Sequence, residues 1–381
     1  VPLARNDESI VCQYTMVTLE ELGLLKMDFL GLRNLTVLDD AVKMVQQREP
    51  EFALSKIPDD DAETYDMISR GQTAGVFQIE STGMTGVCVG LKPQSIEDIT
   101  AVIALYRPGP MESIPRFIAC KHDPKLVTYK HPRLVPILSV TYGCIVYQEQ
   151  VIRIFQELGG FSLGQADMVR RAISKKKAKE IEKERQAFVY GDAERGIKGC
   201  IANGIDEKTA QAIYDEIYDF ANYAFNKAHA VSYAVVAYQT AYFKCHYTKE
   251  YMAALLTSVL DNTDKVIEYS GECARLGIKV LPPDVNVSNG GFTADDNGQI
   301  RFGLNAVKNV GRNLIENVVR ERRNKPYTSL YDFCKRMHGN ELNRRAAECL
   351  IKAGAFDRLG NNRHSHVEAV EGILKSIETD T

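Results

Sequence analysis

The chain has 381 residues, with 47 Lys or Arg against 50 Asp or Glu and a net charge of −3, which argues against wholesale coating with nucleic acid and leaves any polyanion to local patches. An apolar fraction of 45% is that of packed globular protein, and the length allows two or three domains. No N-terminal apolar signal and no run long enough to cross a bilayer is present. The nine cysteines lack a Cys-x-x-Cys pair, so they read as free thiols of a reducing, cytoplasmic compartment and not as a structural zinc site.

In chain order, residues 1 to about 36 read as a polar lead, a short helix near Leu19–Leu22 and a strand ending at Gly31. That strand embeds Asp28 in an apolar run. A carboxylate is costly to bury unpaired, so Asp28 needs a neighbour, a metal or both. Lys26, two residues earlier, shares its face of a strand. A site for a divalent cation beside an anionic substrate and a structural ion pair explain this pattern equally well. Helices then alternate with Pro and Gly punctuation through Gln94, Arg107-Pro-Gly-Pro110 and His131-Pro132, and longer helices follow from about Ile145 to Thr257.

Within that helical region, Asp167–Lys179 reads as one helix carrying Arg170, Arg171, Lys175, Lys176 and Lys177. Arg171 and Lys175 are four apart and Arg170 and Lys177 seven, so two basic ridges would run along it. Arginine forks and mobile lysine charge suit a triphosphate or a nucleic-acid backbone. Between Met168 and Phe188 eight Lys or Arg stand against three Glu; Glu180, Glu182 and Glu184 leave a solvated charged face as the alternative. Further on, Asn226, His229 and Tyr233 are spaced three and four apart on one helix face, with Val231, Val235, Tyr238 and Tyr242 marking a more apolar one. Taken alone, His229 reads more readily as an interior histidine than as a ligand contact.

Near residue 282 the character changes. Pro282-Pro283 closes the helical series, and Phe292–Phe302 is a hairpin candidate turning at Asn297-Gly298. Gly303–Ile315 resembles a helix-hairpin-helix, whose hairpin would offer backbone N–H groups and Lys308 and Arg312 to DNA phosphates. Asn309 stands where such a hairpin usually has its first glycine, and Gly311 keeps the second. Asparagine tolerates a left-handed backbone, so the turn can form. Glu341–Asp357 reads as a second helical pair.

The runs Lys26–Arg33, Gly75–Ser81, Tyr106–Met111, Thr141–Val151, the double-arginine segment and Phe225–His229 resemble the catalytic-subunit family of bacterial DNA polymerase III, of the DnaE type. They follow the family's order almost from end to end. The resemblance implies a mainly α fold with small β elements: the C-terminal edge of a polymerase palm over 1–36, helical fingers over 37–281, and a little finger or clamp-binding domain with a helix-hairpin-helix over 282–381. It implies that Asp28 is the third acidic ligand of a two-Mg²⁺ site. Lys26, Arg107, Arg170, Arg171, Lys175, Asn226, His229 and Tyr233 would face the incoming dNTP, and Lys176, Lys177, Lys308, Asn309, Gly311 and Arg312 would face DNA. Gln78, Glu80 and Ser81 match a structured turn without chemistry.

The activity implied is template-directed transfer of dNMP to a primer 3′-hydroxyl in chromosomal replication, with primer-template DNA, dNTP, a sliding clamp and other replicase subunits as partners and no membrane. The family's other two acidic ligands form an Asp-x-Asp pair; nothing before Asp28 supplies one, since Asp7 and Glu8 are adjacent. The chain is therefore expected to be part of the enzyme and inactive alone. Gln165–Val169 imitates a clamp-binding peptide but abuts Arg170, where clamp and nucleotide would compete. A DNA- or partner-binding module without chemistry and a translesion paralogue are the alternatives.

Overall fold

Leu3–Asn6 (β1) and Ser9–Cys12 (β2) pair antiparallel, Leu3 opposite Cys12 and Asn6 opposite Ser9, so the polar lead contains a β-ribbon. A short helix, Met16–Glu21 (α1), follows because Thr15 caps it, accepting from the Thr18 amide; it lies slightly earlier than the expected Leu19–Leu22. The computed structural model describes residues 1–7, 9–25, 31–174, 178–221, 224–360 and 362–379. The expected strand with Lys26 and Asp28 lies outside them. Val1–Arg33 forms one compact unit and Asn34–Thr381 the other.

The second unit is helical. Its first part runs through Arg33–Gln46 (α2), Ala62–Ser69 (α3), Thr82–Leu91 (α4), Ile96–Leu105 (α5) and Ile114–His122 (α6). Then come Val135–Leu138 (α7), Gln148–Ile154 (α8), Leu163–Ser174 (α9), Ala178–Tyr190 (α10) and Glu207–Ala221 (α11). Lys227–His246 (α12), Thr248–Ser258 (α13) and Thr263–Arg275 (α14) complete it. α5 is buried from Asp98 to Leu105, an all-round burial that requires partners on every side. Its main partner is α12, and the reason is small side chains: Ala230, Ala234, Ala237 and Ala241 form a fully buried stripe that lets the two helices approach closely. The apolar face expected at Val231, Val235 and Tyr242 is thus displaced to the alanines. Only Tyr238 of that expected set is buried; its hydroxyl donates to the Pro58 carbonyl at 2.6 Å and accepts from the Asp61 amide at 3.1 Å.

The far half of α12 holds a buried ion pair. Lys244 Nζ donates to the Gln72 and Ala74 carbonyls at 2.9 and 2.8 Å and to Glu272 of α14 at 2.7 Å. Burial pulls this ammonium below its ordinary pKa, and Glu272 opposes the shift. The anchored loop continues through Phe77, whose amide donates to Thr240. Ile79 N bonds the Phe77 carbonyl around Gln78, which adopts φ 65°, a γ-turn geometry. Glu80 accepts from Gly75 N and the Tyr269 hydroxyl, and Ser81 caps α4. The three residues are therefore parts of a structured turn, as expected.

Beyond α14, Thr293–Ala294 (β4) and Ile300–Arg301 (β5) make the expected hairpin, with Gly298 at φ 79° closing its turn. An unforeseen parallel strand, Val280–Leu281 (β3), pairs with β5 to give the order β3-β5-β4. Arg312–Glu321 (α15), Leu330–Met337 (α16), Arg344–Ala353 (α17) and Arg363–Thr379 (α18) then share one core built from Leu314, Phe333, Leu350 and Val370.

Candidate functional site

α12 begins at Lys227 because Asn226 is extended and its side-chain oxygen accepts from the His229 amide at 2.8 Å. Two further donors at that end meet Glu149 of α8: the Lys227 amide reaches both carboxylate oxygens at 3.1 and 3.0 Å, and Asn226 Nδ2 reaches one at 3.0 Å. A carboxylate at a helix N-terminus is favourable on charge alone. The junction is pinned by a parallel bridge between Tyr147 and Phe225, with Phe225 N donating to Val146 and Gln148 N to Phe225. Glu149 lies inside one of the sequence runs singled out above, yet its role as partner of α12 was missed; no local spacing relates residues 149 and 227.

From this capped end an array of rings runs along α12. His229 stacks on Tyr233 with centroids 4.4 Å apart and meets Phe225 edge-on at 5.3 Å. Tyr233 leans on Phe77 at 5.4 Å, and the Arg107 guanidinium lies 4.1 Å over the Phe225 ring. Arg107 Nε also donates to the Ala104 carbonyl, and burial lowers its pKa. Its loop turns at Gly109, φ 102°, while Gly83 of α4 admits the adjacent Tyr106 hydroxyl, which any side chain there would overlap. His229 and Asn226 are exposed, and Arg107 and Tyr233 half-buried. The exposure of His229 runs against the interior-histidine alternative. Arg107, distant in sequence, is thereby brought to the segment that carries Asn226, His229 and Tyr233.

Arg170 and Arg171 sit on α9, both gripping Asp167 one turn earlier: Arg170 Nη2 to Oδ1 at 2.8 Å and Arg171 Nε to Oδ2 at 2.8 Å. Partial burial alone would raise the Asp167 pKa, but the hydrogen bonds and charges of the two arginines bring it below the ordinary carboxylate value. The i, i+3, i+4 acid-base spacing was the signal for this clamp and went unused. Arg171 remains exposed along most of its length. Glu182 and Glu184 pair instead with Arg185 and Arg195. Lys175, Lys176 and Lys177, and with them the expected ridges, lie outside the described residues; α9 ends at Ser174 and α10 begins at Ala178. Gln165 is engaged in capping α9 with Ser162 and donates to the Arg195 carbonyl, and Ala166 and Val169 are buried.

In the C-terminal hairpin Asn309 adopts φ 62°, the left-handed conformation anticipated for the missing glycine, and Gly311 is the N-cap of α15. The element before the turn is a single 3₁₀ turn, Leu304–Ala306, and not the full helix expected. Lys308, Asn309, Gly311 and Arg312 are all exposed, with Arg312 paired at 3.0 Å to Asp261 across an open surface.

The site thus belongs to a helical finger-type module followed by a helix-hairpin-helix module. Residues 34–196 match the model of the bacterial DNA polymerase III alpha subunit finger domain, and residues 277–366 match a helix-hairpin-helix motif. Across 99% of its length the chain is 46% identical to DNA polymerase III subunit alpha of Bacillus subtilis, and across 98% it is 48% identical to that of Thermus aquaticus. It is 43% identical to the Escherichia coli K12 subunit over 97% of its length. The chain belongs to the family of bacterial DNA polymerase III alpha subunits, and it spans about a third of the length of these relatives, 33%, 31% and 32% respectively. Among the described residues no helix is long and apolar enough to cross a membrane.

Proposed function

We propose that this chain is part of a DNA-directed DNA polymerase of chromosomal replication and that it carries the face for the incoming nucleoside triphosphate. The carrying observation is the convergence of half-buried Arg107 and Tyr233 with exposed Asn226 and His229 around the start of α12. Stacked rings with an arginine at one end suit a planar base or sugar next to negative charge. Arg170 and Arg171, preorganised by Asp167, would hand their forks to a triphosphate, where negative charge shifts during phosphoryl transfer. Lys26 and Lys175 extend this set by resemblance. Two Mg²⁺ ions belong to the reading and, when bound, would activate the primer 3′-hydroxyl and neutralise the triphosphate, with Asp28 the ligand this chain supplies.

The little-finger hairpin, through Lys308, Asn309, Gly311 and Arg312, is assigned to the primer-template backbone, as are Lys176 and Lys177. The division at about residues 36 and 281, a cytoplasmic location, and a sliding clamp with other replicase subunits as partners complete the proposal. In a full-length polymerase carrying this segment, Arg170→Ala and Arg171→Ala should each lower catalytic efficiency for dNTP about ten- to a hundredfold, from charge-assisted bonds worth roughly 1.5–3 kcal/mol. DNA affinity should stay unchanged. Weaker DNA binding with a reduced salt slope and an unchanged nucleotide KM would assign α9 to the template instead.

A further inference from the structure

At the opposite end of α12 from the ring array, the side chains of Cys245 and His246 meet Glu63 of α3. Among the described residues these three offer ligand atoms that all lie within 4.8 Å of one another. His246 Nε2 stands 2.8 Å from Asp61 Oδ2, while Nδ1 faces Glu63 Oε2 at 3.7 Å. A histidine that donates Nε2–H to a carboxylate turns the lone pair of Nδ1 outward, here toward another carboxylate and a thiol. Electron-rich atoms converging in this way need a proton or a cation between them.

We propose that Cys245, His246 and Glu63 bind one zinc-class divalent cation that ties the C-terminal end of α12 to α3. A thiolate, an imidazole and a carboxylate are the ligand types of zinc, whereas Mg²⁺ and Ca²⁺ take oxygen ligands, so this site is chemically separate from the ions proposed for phosphoryl transfer. Three protein ligands leave a fourth position for water.

Asp61 is the positioning residue. The same Oδ2 also accepts from Thr64, through N at 2.8 Å and Oγ1 at 2.6 Å, and the Asp61 amide is held by Tyr238, so the imidazole meets a preformed support. The Glu63 side chain is 78% exposed, and its carboxylate would have to close the remaining distance on binding. Binding would draw the proton off the Cys245 sulfur and release it to solvent as the metal–sulfur bond forms. No Cys-x-x-Cys spacing announces the site, because two ligands are adjacent in sequence and the third comes from another helix.

The test is to load the 381-residue chain with Zn²⁺ and, separately, Co²⁺, remove free metal by gel filtration, and measure stoichiometry and absorption. One ion per chain and a thiolate-to-cobalt charge-transfer band in the near ultraviolet are expected. Cys245→Ser should abolish the band, whereas Cys12→Ser should leave it. Asp61→Asn should keep the band and weaken affinity about 10- to 100-fold, as loss of an orienting partner does. No retained metal, or a band that survives Cys245→Ser, overturns the proposal. Should Cys245→Ser not fold, Glu63→Gln on the exposed side chain decides: weaker binding supports the site, and unchanged affinity overturns it.

Discussion

The two halves of α12 use polar residues in opposite ways. Its first turns present Asn226, His229 and Tyr233 at the surface, with bonds that fix geometry but leave the rings accessible. Its last turns bury Tyr238, Thr240 and Lys244, each satisfied by the backbone of the 58–77 segment or by Glu272. The buried half holds the loop that carries Phe77, and Phe77 supports Tyr233 from beneath. One helix therefore couples an anchor, where substitutions should cost stability, to a presenting face, where they should cost ligand handling.

That contrast can be broken at several strengths. Lys244→Met should have the largest effect, destabilising the chain by about 3–5 kcal/mol in urea denaturation, because it strands Glu272 and two buried carbonyls; Arg275, 2.7 Å from Glu272, holds the loss toward the lower end. Tyr238→Phe should cost about 1–3 kcal/mol by the same measurement, since it leaves the Pro58 carbonyl and Asp61 amide without their partner. Asn226→Ala, at the presenting end, should cost only about 1 kcal/mol through loss of the cap. Smallest is a pH effect on α9. The folded-state pKa of Asp167 lies below the ordinary carboxylate value near about pH 4, so its contribution is intact above that pH and lost as pH falls below it. Asp167→Asn should flatten the acid limb of stability slightly; an unchanged limb would show that the two arginines gain nothing from the carboxylate.

What the sequence made legible follows the range of the interaction. The hairpin at Asn297-Gly298 and the left-handed Asn309 depend on a few adjacent residues, and both stand in the structure, as does the turn at Gln78 that the resemblance implied. The face shared by His229 and Tyr233 was readable from helical spacing, whereas Asn226, expected on the same helix face, precedes the helix as its extended N-cap. The burial of α12 was not, because periodicity marks large apolar residues while the α5 contact selects small ones, Ala230, Ala234, Ala237 and Ala241. Glu149 at the start of α12, Arg107 over Phe225 and Lys244 against Glu272 join residues distant in the chain, and nothing local couples them. The clamp of Asp167 by two arginines is local and lies in the i, i+3, i+4 spacing itself.

The central claim, that the first turns of α12 form a ligand face and not a core, is tested most directly with His229→Ala in a full-length polymerase carrying this segment, measuring stability and nucleotide KM on the same preparation. The prediction is a stability change below about 1 kcal/mol together with a nucleotide KM raised about tenfold, since stacking on an aromatic face is worth on the order of 1–3 kcal/mol. A stability loss of several kcal/mol with an unchanged KM would contradict it and return His229 and Tyr233 to the packing of the helix.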